Sequence, residues 1–484
     1  MIADYTSEWI RLAEELMDGI DNGDFSDYRC IPNKYKWKHM EALYYLKDVI
    51  EGGAELYSKL YDIVIAAGKN RIKQISESGK KVNITFQSFS AAQWPAEYLY
   101  KKFEQCEECN VQIFVSPLAL RDKETYTDTY RQTFGWFISK GYNVVGGLSE
   151  DNEEFCSWED LDYYPDILYL VSSWYDTFSP IQQFIELPIT VLIMYIPYGM
   201  YLIDNESGNY MRDFVYNKDI TNMTYRLYCD LPSNYEGYRC NQFLGGKNVR
   251  CSGYAKMDFF YNKRNMKNDE IEKLWSIPNG KKADEVKKVI IAPHHSIGND
   301  KILNFSTFDE NIWFLLYLTK KYKDRVSFII KPHPNLRNVA VNKKLFRSYK
   351  EYDDFFEEWN ALPNVKVVQE AGYLEYFDTS DAMILDSCSF IAEYLYTQKP
   401  LLLLTRPEQN FLEIGKKVLE TYYRVPGNDY YGIEEFLQNI VLDDNDYLLG
   451  KRSAVFAEEF DYYKNNGMYA SDYIYYDFKK LINA

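Results

Sequence analysis

The first 77 residues carry apolar side chains at helical spacing, and the pattern changes at about residue 80. Trp9, Leu12 and Leu16 illustrate the first spacing, which places apolar side chains on one face of a helix. Beyond residue 80 the apolar residues gather in short runs of strand length, separated by helix-like stretches. This alternation favours parallel sheets that are covered by helices.

Two such series follow one another, and a charged stretch at 262–286 separates them. The first series predicts strands at 82–86, 111–115, 143–145, 167–171 and 189–195, with helices at 96–103, 126–140 and 180–187. The second predicts strands at 289–292, 326–330, 365–368, 382–385 and 401–404, with helices at 310–322, 343–360, 390–397 and 411–422.

The fold class is therefore predicted to be α/β, with two Rossmann-like domains that face a cleft. We expect a helical extension at 1–77, a first domain at 78–261, a linker at 262–286, a second domain at 287–431 and terminal helices at 432–484. In such folds the ligand binds at the carboxyl ends of the strands.

Charge and composition exclude several classes of protein. A formal net charge of −17 argues against a nucleic-acid binder and against adsorption to anionic membranes. The most apolar stretch, 189–203, is broken by Pro197 and Gly199, so no membrane span is expected. The N-terminal stretch is acidic and has no signal-peptide pattern. We expect a soluble cytoplasmic protein, with peripheral attachment to the inner face of the membrane left open.

No metal site is expected. The eight cysteines form no regular framework, and Cys106 and Cys109 make a single CxxC without a second ligand pair. The acidic runs at 160–162 and 443–446 are interpreted as solvated loops.

Polar groups follow the predicted strand at 326–330. The chain reads KPHP at 331–334 and brings Lys331, His333 and Arg337 close together in sequence. The prolines rigidify this turn, and cations and imidazole donors suit the negative charge of a phosphate or a leaving group. A plain surface loop is the alternative.

A second cluster lies between the predicted strand at 382–385 and a helix. It contains Asp386, Ser387, Ser389 and Glu393. Ser387 or Ser389 is expected to cap the helix, and the helix N-terminus is a ready site for a pyrophosphate. Glu393 is placed to accept hydrogen bonds from ribose hydroxyls. Simple capping beside a solvated acid explains the same pattern equally well.

The remaining histidines and the first domain supply further candidates. His294 and His295 follow the strand at 289–292 and are candidates for proton transfer near neutral pH; structural roles are the alternative. Loops at 87–94 and 195–201 also follow strands. On the acceptor side of the cleft we expect Gln87, Ser90, Trp94 and Tyr195, although packing roles are as plausible.

These motifs resemble those of the CDP-glycerol glycerophosphotransferase family, the teichoic-acid and capsule polymerase type. That family carries K-P-H-P at a strand end, then S-D, then D-Y-S-S with an acidic residue four after the last serine, then K-P. The matching segments here are KPHP at 331–334, SD at 380–381, DSCS at 386–389 with Glu393, and KP at 399–400. GYA at 253–255, followed by Asp258, resembles the family's G-Y-P-x-x-D.

The resemblance implies a GT-B fold with the donor nucleotide in the second domain, the acceptor in the first, and the terminal helices returning to the first domain. It implies that His333 contacts the donor phosphates and that Ser389 and Glu393 fix pyrophosphate and ribose, with Arg337 as a further clamp. The implied reaction moves glycerol phosphate, or a related phospho-alditol, from a CDP-activated donor to a glycan or lipid-linked acceptor and releases CMP. No cofactor or metal is required if Lys331, His333 and Arg337 neutralise the charge.

One departure from the family concerns the base. Family members carry a His-Gly in the first domain that is regarded as the acceptor-activating base. This chain has no histidine between 40 and 293, and Tyr198-Gly199 takes that place. A tyrosine, a carboxylate, or His294 or His295 would then be the base. Two alternatives stay open: a GT-B glycosyltransferase that uses a nucleotide-sugar, and a non-catalytic nucleotide-binding scaffold of a glycan assembly complex.

Overall fold

The computed structural model of the chain describes residues 2–22, 35–205, 207–278, 280–298, 303–369 and 371–483. Part of the predicted N-terminal extension, 23–34, lies outside them. The chain divides into two compact units. Unit 1 comprises Met1–Gly199, Arg212–Lys256 and Asn465–Ala484, and unit 2 comprises Met200–Met211 and Met257–Lys464. The predicted extension and the last helix therefore belong to unit 1, whereas the linker and the helices from 432 to 461 belong to unit 2.

Unit 1 is built on a sheet of seven parallel strands in the order β3-β2-β1-β4-β5-β6-β7. Two of its interior strands, at 167–170 and 192–195, are apolar and buried on both faces, as in sheets that helices cover. The strands are β1 (Val82–Ser88), β2 (Cys109–Val115), β3 (Val144–Gly146), β4 (Ile167–Leu170), β5 (Leu192–Tyr195), β6 (Arg226–Cys229) and β7 (Val249–Cys251).

Seven helices of the described residues belong to unit 1. They are α1 (Ile2–Asn22), α2 (Trp37–Leu46), α3 (Gly53–Glu77), α4 (Glu97–Glu104), α5 (Lys123–Ser139), α6 (Pro232–Asn241) and, from the end of the chain, α18 (Ala470–Ile482). Local chemistry sets their starts: the Asp122 carboxylate accepts the Thr125 N–H at the start of α5, and Pro232 occupies the first turn of α6.

Unit 2 is built on a second sheet, of six parallel strands in the order β10-β9-β8-β11-β12-β13. The strands are β8 (Lys287–Ala292), β9 (Val326–Ile330), β10 (Val365–Val367), β11 (Ala382–Leu385), β12 (Leu401–Thr405) and β13 (Tyr423–Pro426). The chain winds outward from β8 to β10 and then crosses to β11, so the topological switch point lies between β8 and β11.

The helices of unit 2 pack against this sheet and bury an apolar core that includes Phe308, Trp359 and Leu437. They are α7 (Asp258–Asn262), α8 (Asn268–Leu274), α9 (Phe308–Lys321), α10 (Leu336–Asn342), α11 (Tyr349–Asn360), α12 (Leu374–Thr379), α13 (Ile391–Leu395), α14 (Glu413–Leu419), α15 (Tyr430–Glu435) and α16 (Leu449–Val455), with α17 (Tyr462–Asn466) at the boundary with unit 1.

The predicted fold class, α/β with two parallel Rossmann-like sheets and a helical C-terminus, is confirmed. Two details differ. The helix predicted at 180–187 is a pair of 3-10 turns, because Gln183 between them is extended. The helix predicted at 343–360 begins only at Tyr349, where the Ser348 side chain accepts the Glu351 N–H. Among the described helices, none has the length and apolar character needed to cross a membrane.

Candidate functional site

The carboxyl edge of the second sheet gathers most of the predicted site residues of unit 2. Loops that leave β8, β9 and β11 carry His294, Lys331 and Asp386 as their first polar side chains. Because these three strands are neighbours in the sheet, their loops meet at the switch point, where open α/β sheets bind ligands.

Three imidazoles form the centre of this site. Ring centroids lie 4.3 Å apart for His294 and His295, 4.2 Å for His295 and His333, and 5.2 Å for His294 and His333. Backbone bonds hold the two loops together, since the His333 N–H donates to the Pro293 carbonyl at 3.0 Å. His294 is buried, whereas His295 and His333 are partly exposed. The accessible part of the cluster is therefore His295 and His333.

Hydrogen bonds at Nδ1 determine which ring nitrogen of His333 and His294 faces a ligand. The Asn335 N–H donates to Nδ1 of His333 at 3.1 Å, so neutral His333 carries its proton on Nε2. Nδ1 of His294 lies 2.8 Å from the Ser296 hydroxyl. Burial, then the neighbouring His295 and His333, hold the pKa of His294 well below its usual range. A neutral His333 that donates from Nε2 suits an anionic oxygen better than a metal ion, which needs the Nε2 lone pair.

The ring nitrogens of His294, His295 and His333 lie within 4.8 Å of one another, which is close enough to consider a metal ion. Binding one would require His333 to move its proton to Nδ1, where it would face the Asn335 N–H. This hydrogen bond therefore favours an anionic ligand over a metal ion at the cluster.

Asp386 has a different role from the predicted contact with the donor phosphates. Its buried carboxylate accepts from the N–H groups of His294 at 2.5 Å and Thr307 at 2.6 Å, and from the Ser306 hydroxyl at 3.1 Å. Burial raises the pKa of Asp386 to about 6, although these bonds oppose the shift. A buried carboxylate saturated by protein donors repels phosphate, so we correct its role to fixing the loop that carries His294.

Glu393 and Lys331 are connected through a residue that the sequence did not single out. Tyr373 follows β10 and donates from its hydroxyl to Oε2 of Glu393 at 2.6 Å. The Lys331 ammonium lies 5.7 Å from the centre of the Tyr373 ring. The position of Tyr373 after a strand was the available sequence signal.

The predicted capping of the helix by Ser387 or Ser389 is wrong. In the structure α13 begins at Ile391, and Phe390 before it makes no side-chain capping bond. Instead the Ser387 hydroxyl accepts the Ser389 N–H at 3.2 Å. Ser387 is buried and Ser389 is exposed, so Ser389 is the one of the pair that a ligand can reach.

Arg337, the predicted further clamp, is committed to another partner. Both of its guanidinium contacts to the Asp353 carboxylate measure 2.7 Å, and its cation also lies 4.5 Å from the centre of the Tyr349 ring. A bidentate pair of this kind holds the guanidinium in place. These contacts engage Arg337 with Asp353 and Tyr349, and its role as a further phosphate clamp stays a prediction.

Arg406 is a strand-end cation that the sequence reasoning missed. It follows β12, and it donates to the carbonyls of Gly298 at 3.0 Å and Ser306 at 3.2 Å. Nε also pairs with Glu408 at 2.8 Å. Arg406 thus supports the loop that leaves β8, from the side opposite to His333 in strand order.

In unit 1, most of the predicted acceptor residues lie in the packed interior. Trp94 is buried, donates to the Tyr142 hydroxyl at 3.2 Å and packs on Phe137. Tyr195 is buried within β5. Burial removes both from any accessible surface, so we assign them to the core.

Gln87, Ser90 and Tyr198 complete the predictions for unit 1. Gln87 is buried and donates to the Ser116 hydroxyl at 2.9 Å and the Gln182 carbonyl at 2.7 Å, which is a structural role. Ser90 and Tyr198 are partly exposed. The Tyr198 carbonyl accepts the Tyr254 hydroxyl at 2.5 Å, which fixes the backbone of the loop after β5.

The family model described as CDP-Glycerol:Poly(glycerophosphate) glycerophosphotransferase matches residues 238–476. No curated protein matches the chain. A solved structure of the wall teichoic acid polymerase TagF shares 14% identity, covers 91% of this chain and 97% of its own, and gives a TM-score of 0.52. The solved structure of UDP-GlcNAc 2-epimerase from Neisseria meningitidis bound to UDP-GlcNAc shares 13% identity with this chain. It covers 82% of this chain and 100% of its own, with a TM-score of 0.48.

The likeness to TagF supports a GT-B-like arrangement of the fold, and the family match covers the loops that carry the histidines and Glu393. The family match supports a transferase of the glycerophosphotransferase type. The resemblance predicted from the sequence is thus confirmed over residues 238–476, the segment of this chain that matches the CDP-glycerol:poly(glycerophosphate) glycerophosphotransferase family.

Proposed function

We propose that the chain transfers glycerol phosphate, or a related phospho-alditol, from a CDP-activated donor to a hydroxyl of a teichoic-acid-like, capsule or O-antigen glycan, with release of CMP. The observation that carries the proposal is the pair of partly exposed imidazoles His295 and His333, 4.2 Å apart at the carboxyl edge of a Rossmann-like sheet. Lys331 follows β9 at the same edge. The family match across this edge and the solved structure of a TagF variant soaked with CDPG support the choice of donor.

In the proposed reaction the acceptor oxygen forms a bond to the β-phosphorus as the bond from that phosphorus to the bridging oxygen breaks. The electron pair leaves with CMP. Lys331 and the Nε2–H of His333 stabilise the charge on the phosphates, and Glu393 binds the ribose. The proposal assigns charge neutralisation to these side chains and requires no metal or cofactor.

The acceptor proton must go to a base, and we assign that role to His295. His294 is buried, its pKa is held well below the usual range, and Nδ1 is occupied by Ser296. His295 contacts both of the other rings and is partly exposed. Tyr198 in unit 1 is the competing candidate, so His295→Ala and Tyr198→Phe should be measured side by side; loss of turnover in the tyrosine variant alone would move the role to Tyr198.

The test is a donor panel of CDP-glycerol, CDP-ribitol, UDP-sugars and a CMP-sugar, scored for the released nucleotide with an acceptor glycan present. We expect CMP from a CDP-alditol, and a loss of about 100-fold or more in His333→Ala, because a donor to the transition-state charge is removed. His39→Ala, a histidine of α2 in unit 1, is the matched control and should retain activity.

Three results would contradict the proposal. UDP released from a UDP-sugar would make the chain a GT-B glycosyltransferase. Donor binding without turnover of any donor, unchanged in His333→Ala, would make it a non-catalytic scaffold. Activity abolished by chelation and restored by a transition metal would convert the histidine cluster into a metal site.

A further inference from the structure

We propose that Tyr373 is a positioning residue for the nucleotide ribose, acting through the Glu393 carboxylate. This inference rests on the proposed function, because it assumes that Glu393 binds a ribose hydroxyl. Neither the sequence motifs nor the family match assigns a role to Tyr373.

The contact itself is short and directional. The Tyr373 hydroxyl donates to Oε2 of Glu393 at 2.6 Å, and both residues are buried. A hydrogen bond to an ionised carboxylate is stronger than one between neutral groups. A carboxylate offers about four acceptor positions, so one bond from Tyr373 fixes its plane and rotamer without exhausting its capacity to accept from a ribose.

Packing keeps the Tyr373 ring in place. Its centroid lies 5.0 Å from that of Phe377 on α12 and 4.9 Å from that of Phe390, which directly precedes α13. Phe377 and Phe390 also contact each other, with centroids 5.0 Å apart, so the three rings form one packed cluster. A ring in such a cluster cannot swing away at low cost when a ligand arrives. The hydroxyl therefore stays on Glu393, and an arriving ribose meets a carboxylate that is already oriented.

Tyr373 also connects the two ends of a bound nucleotide diphosphate. The Lys331 ammonium, a proposed phosphate contact, lies 5.7 Å from the centre of the same ring. Lys331 comes from the end of β9 and Glu393 from α13, so one side chain sets the spacing between a phosphate-binding cation and a ribose-binding carboxylate. Preorganisation of this kind lowers the cost of ordering the site on binding.

The test compares the affinities of CDP and 2′,3′-dideoxy-CDP by calorimetry in the full chain, for wild type, Tyr373→Phe and Glu393→Ala. We expect wild type to prefer the ribonucleotide by about tenfold or more, and Tyr373→Phe to lose most of that preference while its affinity for the dideoxy nucleotide stays within about twofold. Tyr423→Phe is the matched control, since its hydroxyl donates to the Asp446 carboxylate at 2.9 Å elsewhere in unit 2.

A merely structural role would weaken both nucleotides equally in Tyr373→Phe, and that result would overturn the proposal. Tighter ribonucleotide binding in Tyr373→Phe would also overturn it, since Tyr373 would then be a competitor. If Tyr373→Phe loses the preference for CDP over the dideoxy nucleotide but wild type releases no CMP from any CDP-alditol, the positioning role of Tyr373 is supported and the proposed reaction is rejected. CMP release by wild type, with the preference for CDP unchanged in Tyr373→Phe, would support the proposed reaction and reject the role of Tyr373. Absence of nucleotide binding in wild type would reject both proposals.

Discussion

Two side chains of the site, Asp386 and His294, contribute to the stability of the fold with opposite dependence on pH. Asp386 has its pKa raised to about 6 from 3.8 by burial, whereas burial and the neighbouring imidazoles lower that of His294 below 6.5. Between pH 3.8 and 6 the folded state binds more protons at Asp386 than the unfolded state does. The stabilisation from Asp386 is therefore complete below pH 3.8 and is lost as pH rises through 6. The contribution of His294 is present above 6.5 and is lost as pH falls.

Asp386→Asn separates these two responses, because it removes only the carboxyl titration. At pH 7 we expect a loss of about 1–3 kcal/mol in the free energy of unfolding, since one acceptor oxygen becomes a donor that faces the Thr307 and Ser306 donors. At about pH 5 the deficit should be larger by about 1 kcal/mol, because wild type alone gains from proton uptake. Urea unfolding at both pH values measures this.

The exposed Asp443 provides the comparison. Asp443→Asn should leave the free energy of unfolding almost unchanged at both values. A deficit in Asp386→Asn that shrinks on acidification would show that the folded state does not raise the pKa of this carboxyl.

At the scale of elements, Gly427 in the turn after β13 lies close to the Thr307 side chain at the start of α9. A Cβ at Gly427 would lie 2.3 Å from Cβ of Thr307 and 2.5 Å from its Cγ2. Thr307 precedes α9 and donates to Asp386, and the Gly427 carbonyl accepts from Asn311 at 3.2 Å. Glycine is needed at 427 because the neighbouring element leaves no room.

Gly427→Ala should therefore cost about 1–3 kcal/mol of stability, the range for overpacked sites, and should also weaken nucleotide binding by displacing Thr307. Gly450→Ala on α16 meets no atom within 4 Å and should be neutral or stabilising by about 0.5–1 kcal/mol. Thermal unfolding and CDP titration of both variants check this. Equal stability of the two alanine variants would mean that Thr307 moves aside without a loss of folding free energy.

The elements that the sequence predicted well are those with continuous apolar runs. β8, β9 and β11 are such runs, and the polar residues at their ends were visible without the structure. β6, β7 and β13 were missed because each is short and carries an arginine, and Pro426 ends β13. A weak apolar pattern cannot be told from a loop by periodicity alone.

Residues of the candidate site were predicted where they share a motif or directly follow a strand. His333 and Glu393 were found because each belongs to a recognisable segment. The role of Asp386 depends on Ser306 and Thr307, which lie about 80 residues away in sequence, and Tyr373 meets Glu393 across a separation of 20. Tertiary packing created those pairings, so strand-end position could nominate the residues but could not assign their partners.

At the scale of the whole molecule, unit 1 is completed by the end of the chain. α18 packs Phe478 against Phe103 of α4 at 5.0 Å, and Asp477 pairs with Arg226 at 3.0 Å and accepts the Tyr228 hydroxyl at 2.9 Å. These contacts reach both helix α4 and strand β6 of the first sheet. The stability of unit 1 therefore depends on residues more than 370 positions from the helix they cover.

Phe478→Ala tests this dependence. The side chain is fully buried, and truncating a buried phenylalanine to alanine costs about 3–5 kcal/mol through lost burial and the cavity left behind. Hydrogen–deuterium exchange should rise in α4 and β6 of unit 1, because their covering helix is loosened. Tyr476→Ala, from the exposed face of the same helix, should change exchange little, since it leaves no cavity. Unchanged protection of α4 and β6 in Phe478→Ala would mean that unit 1 holds its core without the last helix.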